Sequence, residues 1–431
     1  MSTSTIAIII TVLTVISFVT EKIPLACTAV ISSVLMGIFG CMKMGSVYSG
    51  YASTATVMVG GMMIVGDALF QNGVAQKIGS VLVNSPIAKS ERILVFFTVI
   101  LTSLISAFLS NSGTIAMFMP LLGAAVLASG GKLRYKMLVM PAGFGCAVGG
   151  CGTLVGSTAQ LIAQGILVKA GGKPMGFFDL SYAVAPMCLV MAIWFSTIGY
   201  NIMEKVLADN MASEQMDAIA AAAKEHPTQG DEPLTWRGWL SAATLIGCII
   251  AFMMNGNVAV IGLAGAAILV TSGCMPLKQT LRNLDWNTLI ILSAAQGFAA
   301  GLNESGGGKV IANAVLNAFG GQNASIVVML AIGITLSVCL SNFMSNGAVA
   351  AMLVPIFIQI AMALGANPTT FTIAISIGAS TVISTPTGTP CVTQTLPAGY
   401  RYMDYVKSGL PCNVILTVMA IVLCATIYPL H

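Results

Sequence analysis

The chain has 431 residues, of which 57% are hydrophobic and only 7% charged, and its mean hydropathy is +0.92. A soluble domain carries roughly 25% charged residues, so this composition excludes one. Apolar runs recur along the whole chain, which also excludes a secreted protein with a single cleaved leader.

The first run, Ile6 to Val19, lacks a basic flank and a small-residue cleavage site, and is read as a retained membrane segment. Apolar runs set against polar breaks predict membrane segments near 5–20, 24–40, 51–71, 137–168 and 180–203. A second set follows near 238–254, 257–273, 286–302, 369–399 and 408–429. Two further stretches, 93–128 and 325–363, are broken at the middle by polar residues. Their halves are short for a span of about 20 residues. Each reads as a helical hairpin that dips in and returns to the same side. The sum is an all-α polytopic protein with ten crossings and two re-entrant hairpins.

The basic residues test that count. They divide 14 to one side and 4 (Lys43, Lys169, Lys173 and Lys309) to the other. By the positive-inside rule the richer side is cytoplasmic and both termini face outward. Glu204 to Pro233, the one long polar stretch, then reads as a cytoplasmic connector.

The halves match at a nearly fixed offset. Gly40-Cys41 corresponds to Gly273-Cys274, and Leu69, Gly73 and Ile78 correspond to Leu302, Gly306 and Ile311. "SAFLSNSGTIAMFMP" from Ser106 meets "SNFMSNGAVAAMLVP" from Ser341, pairing Ser110-Asn111 with Ser345-Asn346 and Pro120 with Pro355. Later "GTLVGST" meets "STPTGTP", pairing Thr153 with Thr385 and Gly156 with Gly388. The expected domains are a first repeat at 1–203 (helices 1–3, hairpin 93–128, helices 4–5), a linker at 204–235, and a second repeat at 236–431 (helices 6–8, hairpin 325–363, helices 9–10). Each repeat has an odd number of crossings, so the second copy is inverted. Inverted repeats with broken helices near the midplane are the architecture of secondary transporters.

The breaks carry the chemistry. Serine hydroxyls, asparagine carbonyls and unwound backbone C=O groups are hard oxygen ligands suited to Na⁺. Half-helix N-termini present N–H groups to an anion, and asparagine offers both kinds of group. No Lys, Arg or His falls within the broken segments, and Asp67 is the only intramembrane carboxylate, read as a helix-end or interhelical hydrogen-bond acceptor. A bound anion therefore needs cations as counter-charge, which couples the two. A proton-driven carrier more usually shows several buried ionisable groups.

An enzyme is not expected. The histidines are His226 and His431 alone, and neither HExxH nor GxSxG occurs. The eleven cysteines form no CxxC pair and sit mostly in apolar segments as small hydrophobes. A channel suits two hairpins less well than alternating access does.

These paired tips, "SNS" at 110–112 and "SNG" at 345–347, each followed by a Gly/Thr break, resemble the divalent anion/sodium symporter family of the ion-transporter superfamily. The resemblance implies an elevator-type homodimer in a cell membrane, such as a bacterial inner membrane, moving a di- or tricarboxylate or sulfate with Na⁺. Exchange of anions, or sodium/proton antiport within the superfamily, are the alternatives. By position, Ser106, Ser110, Asn111 and Gly150 would form one sodium site, and Ser341, Asn346 and backbone at Val382 the other. The anion would lie between Ser110-Asn111-Ser112 and Ser345-Asn346-Gly347, beside Thr389-Pro390. Departures accompany it: Ser112 and Gly347 stand where the family motif has Thr, and "GSTAQ" and "GTPCV" replace Thr-Pro-Pro-Asn. Nucleic acid is not an expected partner.

Overall fold

The computed structural model describes all residues except Met1, Glu21, 84–89, 130–131, 209–232, Asn255, Gly320 and 322–323. Most of the expected linker therefore lies outside the described residues. Among the described residues there is no strand.

Before the connector come α1 (Thr3–Thr20), α2 (Leu25–Ile38), α3 (Met44–Tyr48), α4 (Thr54–Gln71), α5 (Val74–Val83), α6 (Glu91–Phe108), α7 (Asn111–Ala128), α8 (Tyr135–Gly149), α9 (Thr158–Lys169), α10 (Ser181–Ser196) and α11 (Ile198–Leu207). After it come α12 (Trp236–Met253), α13 (Val258–Thr271), α14 (Leu277–Asn283), α15 (Trp286–Glu304), α16 (Gly307–Ala318), α17 (Ile326–Ser341), α18 (Asn346–Ala363), α19 (Pro368–Ser380), α20 (Pro390–Thr393) and α21 (Tyr402–Ile427).

Local chemistry sets the boundaries. Ser53, Asn257, Asp285 and Asn367 each accept a backbone N–H at the start of α4, α13, α15 and α19. Gly40 and Gly73 turn the chain at φ +70° and +77°, and their offset partners Gly273 and Gly306 do so at +75° and +74°. Only glycine visits that region freely, so the sequence pairs mark matching turns.

Neighbours match as well. α4 packs on α13 while α2 packs on α15, so each half lends the same pair of helices to the other. Within the halves, α6–α8 answers α17–α19, and α5–α7 answers α16–α18.

Both broken stretches fold back on themselves. Glu91, at the start of α6, accepts the Arg134 backbone N–H at 2.7 Å and pairs with its guanidinium at 2.9 Å. α7 has ended just before Arg134, so α6 and α7 run antiparallel. In the second stretch, a Cβ on Gly333 of α17 would lie 2.8 Å from the Phe357 ring of α18. Two helices joined by a short loop meet at those depths only as a hairpin.

Among the described residues, six helices are long and apolar enough to cross a membrane, or seven if α10 and α11, bent by 53°, form one span. The expected segments 137–168 and 369–399 are each broken, at 150–157 and 381–389, where no α-helix forms. α8 is buried along its whole length, whereas α1 and α12 expose Leu13, Ile16, Trp239 and Ile246. Apolar faces of that extent are stable against lipid tails or another apolar surface. Lys136, expected in a solvated loop, is instead buried in the first turn of α8, where its Nζ donates to Gly399 O at 2.8 Å.

Candidate functional site

Each hairpin tip is a capped helix N-terminus. Ser110 Oγ accepts the Gly113 N–H at 3.1 Å and Ser345 Oγ accepts the Ala348 N–H at 3.3 Å. The caps hold Asn111 and Asn346 as the first residues of α7 and α18, where free N–H groups and the positive dipole end are exposed.

Oxygen atoms crowd behind the first tip. Ser106 Oγ lies 2.6 Å from Asn111 Oδ1 and 2.9 Å from Cys146 O. Gly150 leaves room for the Asn111 amide, which a Cβ there would overlap. Gly156 faces Gly150 O, Ser106 O and Ala107 O, the latter two 2.7 Å and 3.0 Å from where its Cβ would stand. Thr153 fixes that turn by donating to Ala107 O. Three of the predicted ligand residues, Ser106, Asn111 and Gly150, thus meet at one place, while the Ser110 hydroxyl is turned to its cap.

Behind the second tip the same plan recurs with different detail. Gly388, the offset partner of Gly156, faces Ser341 O so closely that a Cβ would clash. Thr389 Oγ1 donates to Val382 O at 3.2 Å. Ser341 Oγ is fully buried and has no hydrogen-bond partner among the described residues. An orphan hydroxyl of that kind costs about 1–3 kcal/mol, and a cation beside it would remove the cost. The carbonyls of Ser341 and Val382, with that hydroxyl, are a fitting donor set for Na⁺.

Between the tips lies a cavity of about 630 Å³. Its wall includes Ser110, Asn111, Ser112, Asn346, Thr389 and Pro390 from the predicted anion set. Ser345 and Gly347 are not on the wall. The Ser345 hydroxyl is turned to its cap, and a Cβ on Gly347 would lie 3.1 Å from Ile162 Cδ1 and 3.4 Å from Thr158 Oγ1. Among the described residues, no Lys, Arg or His lines the cavity. It extends along α4 through Gly66, Asp67 and Phe70 to Asn283 and Asp285. Asp67 Oδ2 accepts from Gln71 Nε2 at 2.7 Å and Asn283 Nδ2 at 3.2 Å. Asp285 is committed to capping α15 through the Thr288 N–H.

Sequence reading missed several participants. Thr158, on the wall, brings a hydroxyl next to Gly347, where the motif threonine is lacking. Its signal was the departure itself, "GSTAQ" in place of Thr-Pro-Pro-Asn. Asn342 and Asn413 hold the second break in shape. Asn342 O accepts from Thr385 and Thr387 at 2.8 Å and 3.0 Å, and Asn413 Oδ1 accepts the Ile383 N–H at 2.9 Å. An asparagine within an apolar span, as Asn413 is, was the available signal.

On the far side from Asp285 the helices close. Lys169 Nζ donates to Ser49 Oγ at 2.7 Å, and Gln359 Nε2 donates to Asn303 Oδ1 at 3.0 Å.

Residues 15–378 match the model of a family described as citrate transporter. An uncharacterized transporter of Haemophilus influenzae is 24% identical over 93% of this chain and 87% of its own length. The sodium-dependent dicarboxylate transporter SdcS of Staphylococcus aureus is 22% identical over 86% of this chain and 76% of its own. Among solved structures, MtrF of Neisseria gonorrhoeae, described within a class of antimetabolite efflux pumps, superposes with TM-score 0.64 at 16% identity, covering 98% and 94% of the two chains. The YdaH transporter of Alcanivorax borkumensis gives TM-score 0.60 at 17% identity, covering 89% and 88%.

Proposed function

The chain belongs to the citrate transporter family, and from that premise we propose that it couples Na⁺ to uptake of a di- or tricarboxylate, with sulfate as a further candidate. It is a membrane transporter and not an enzyme. The observation that carries the proposal is the cavity between two capped helix N-termini whose wall holds no basic side chain among the described residues. Each N-terminus supplies about half an elementary charge, too little for a dianion. The oxygen clusters at Ser106/Asn111/Gly150 and Ser341/Asn346/Val382 are where co-transported Na⁺ would sit. Na⁺ is cargo in this scheme, and its charge is what makes anion binding affordable.

The proposed movement is an elevator. Hairpins α6–α7 and α17–α18 with α8–α11 and α19–α21 would slide against a scaffold of α1–α4 and α12–α15, with the halves inverted and two copies joined through their scaffolds in a bacterial inner membrane. The cavity reaches Asn283 and Asp285, next to Lys278 and Arg282 on the basic-rich side. Under the positive-inside rule this conformation is open to the cytoplasm.

One feature favours a second reading, sodium/proton antiport: Asp67 lies on the cavity wall. Asp67→Asn separates the two. Under the symport reading it keeps sodium-driven carboxylate uptake; loss of uptake together with loss of sodium-driven proton flux would favour antiport. Competition by a panel of citrate, succinate, malate, glutamate and sulfate against labelled uptake in proteoliposomes tests the substrate class. Failure of every di- and tricarboxylate to compete would rule the reading out.

A further inference from the structure

Three of the chain's four tryptophans, Trp236, Trp239 and Trp286, stand near basic residues in the sequence, Arg237, Lys278 and Arg282. All three rings are more than half exposed. The fold brings these residues to one end of α4. A Cβ on Gly238, in the first turn of α12, would lie 2.9 Å from Asn72 O. Asn72, just past the end of α4, donates to Ser241 Oγ at 3.0 Å and to Cys274 O at 3.5 Å, and Cys274 Sγ lies 3.9 Å from Arg237 O. Lys278 follows Cys274 by four residues, so their Cα atoms are at most about 14 Å apart. Asp67, within the last turns of α4, accepts at 3.2 Å from Asn283, the neighbour of Arg282. Trp286 Nε1 donates to Leu281 O at 3.0 Å, which ties its ring to α14.

We propose that this face binds the headgroups of anionic phospholipids in the cytoplasmic leaflet. Among the described residues no carboxylate lies within ion-pair distance of Arg237, Lys278 or Arg282. Lys278 and Arg282 are four residues apart on α14 and share one side of it, while Thr280 turns inward and is buried. Exposed indoles belong at headgroup level, where the ring meets acyl chains and the N–H meets water. A phosphodiester brings the negative charge that the three cations lack, and its acyl chains cover the rings. A zwitterionic headgroup adds a cation of its own and fits this face less well.

The other half of the chain shows that helix packing does not demand these side chains. At the offset that pairs Gly40 with Gly273, the first residue of α12, Trp236, falls on the first residue of α1, Thr3, and the start of α14, Leu277, falls on the start of α3, Met44. Trp236, Arg237, Trp239, Lys278, Arg282 and Trp286 then correspond to Thr3, Ser4, Ile6, Gly45, Ser49 and Ser53, none of them aromatic or basic. The equivalent helices form without such groups, so the face is a departure from the repeat. Asn283 ties α14 to Asp67 on the cavity wall, and a lipid held here borders the cavity. The proposal needs only the membrane setting and stands apart from sodium coupling.

Quenching of indole fluorescence by brominated lipids tests it. The purified full chain is reconstituted in phosphatidylcholine vesicles holding a minor share of brominated phosphatidylglycerol or, separately, the same share of brominated phosphatidylcholine. The expected result is severalfold stronger quenching by the brominated phosphatidylglycerol, weakened by high salt. A variant combining Arg237→Gln, Lys278→Gln and Arg282→Gln, checked for a single symmetric peak on size exclusion, is expected to lose that preference. Lys278→Gln with Arg282→Gln serves if the triple variant does not fold, and is expected to reduce it. Equal quenching of wild type by the two lipids overturns the proposal, as does an undiminished preference in a folded variant. Little quenching by either lipid means that another surface, such as a second copy of the chain, covers the rings, and this too overturns it.

Discussion

Ser341 and Asn346 stand where a single atom decides an affinity. Ser341 Oγ is buried without a partner among the described residues, so Ser341→Ala is expected to leave folding intact and to raise the Na⁺ concentration for half-maximal uptake about tenfold, the equivalent of about 1.4 kcal/mol. Unchanged sodium dependence would contradict the ligand role. Asn111→Ala and Asn346→Ala remove amides at both tips and are expected to abolish uptake while protein still reaches the membrane. Near-normal uptake by either would show that the tips do not form one anion site. The hydroxyl beside Gly347 offers a sharper case. Thr158→Val should weaken carboxylate affinity about tenfold, and adding Gly347→Thr should restore it, because that Cβ has ordinary contact distance to residue 158. Failure of the double variant to recover would assign Thr158 to packing. The serines and asparagines of the tips were legible in the sequence because polar residues interrupt apolar runs there. Thr158 was not, since its meaning depends on α9 lying against the start of α18, which no spacing within either segment encodes.

At the scale of elements, the two hairpins were legible from the polar break in the middle of each stretch and not from length, since α6 and α18 are each long and apolar enough to span. The breaks in 137–168 and 369–399 were legible from their Gly, Thr and Pro content. Hidden from the sequence was the cross-packing of α4 on α13 and α2 on α15, which depends on surface fit between segments far apart in the chain. Burial of Lys136 was equally hidden, because its partner Gly399 O is supplied by a distant turn. The bonds Lys169–Ser49 and Gln359–Asn303 join elements that the elevator scheme moves apart. Lys169→Met with Gln359→Leu should therefore shift the resting population away from the cytoplasm-open form. A cysteine at Ser112, in a background without reactive native cysteines, would then react more slowly with a thiol reagent applied from the cytoplasmic side. An unchanged or faster rate would mean that these bonds do not hold the closed face.

Over the whole molecule, the basic-residue asymmetry proposes an orientation, and under it the cavity that reaches Asn283 and Asp285 would open to the cytoplasm. Composition alone announced a polytopic helical protein, since nothing else buries so little charge. Ion number and direction of coupling were not legible, because they depend on atoms brought together from both halves. Under the proposed reading, a cavity with no basic side chain among the described residues and two half-charges from helix N-termini would hold a dianion only with cations present. The most direct measurement is concentrative uptake of labelled citrate or succinate by proteoliposomes containing the purified chain, with an inward Na⁺ gradient, an equal K⁺ gradient, or an outward anion gradient in Na⁺-free buffer. Accumulation above the external concentration only with the Na⁺ gradient is the predicted result; equal accumulation in Na⁺-free medium with no anion inside would contradict it.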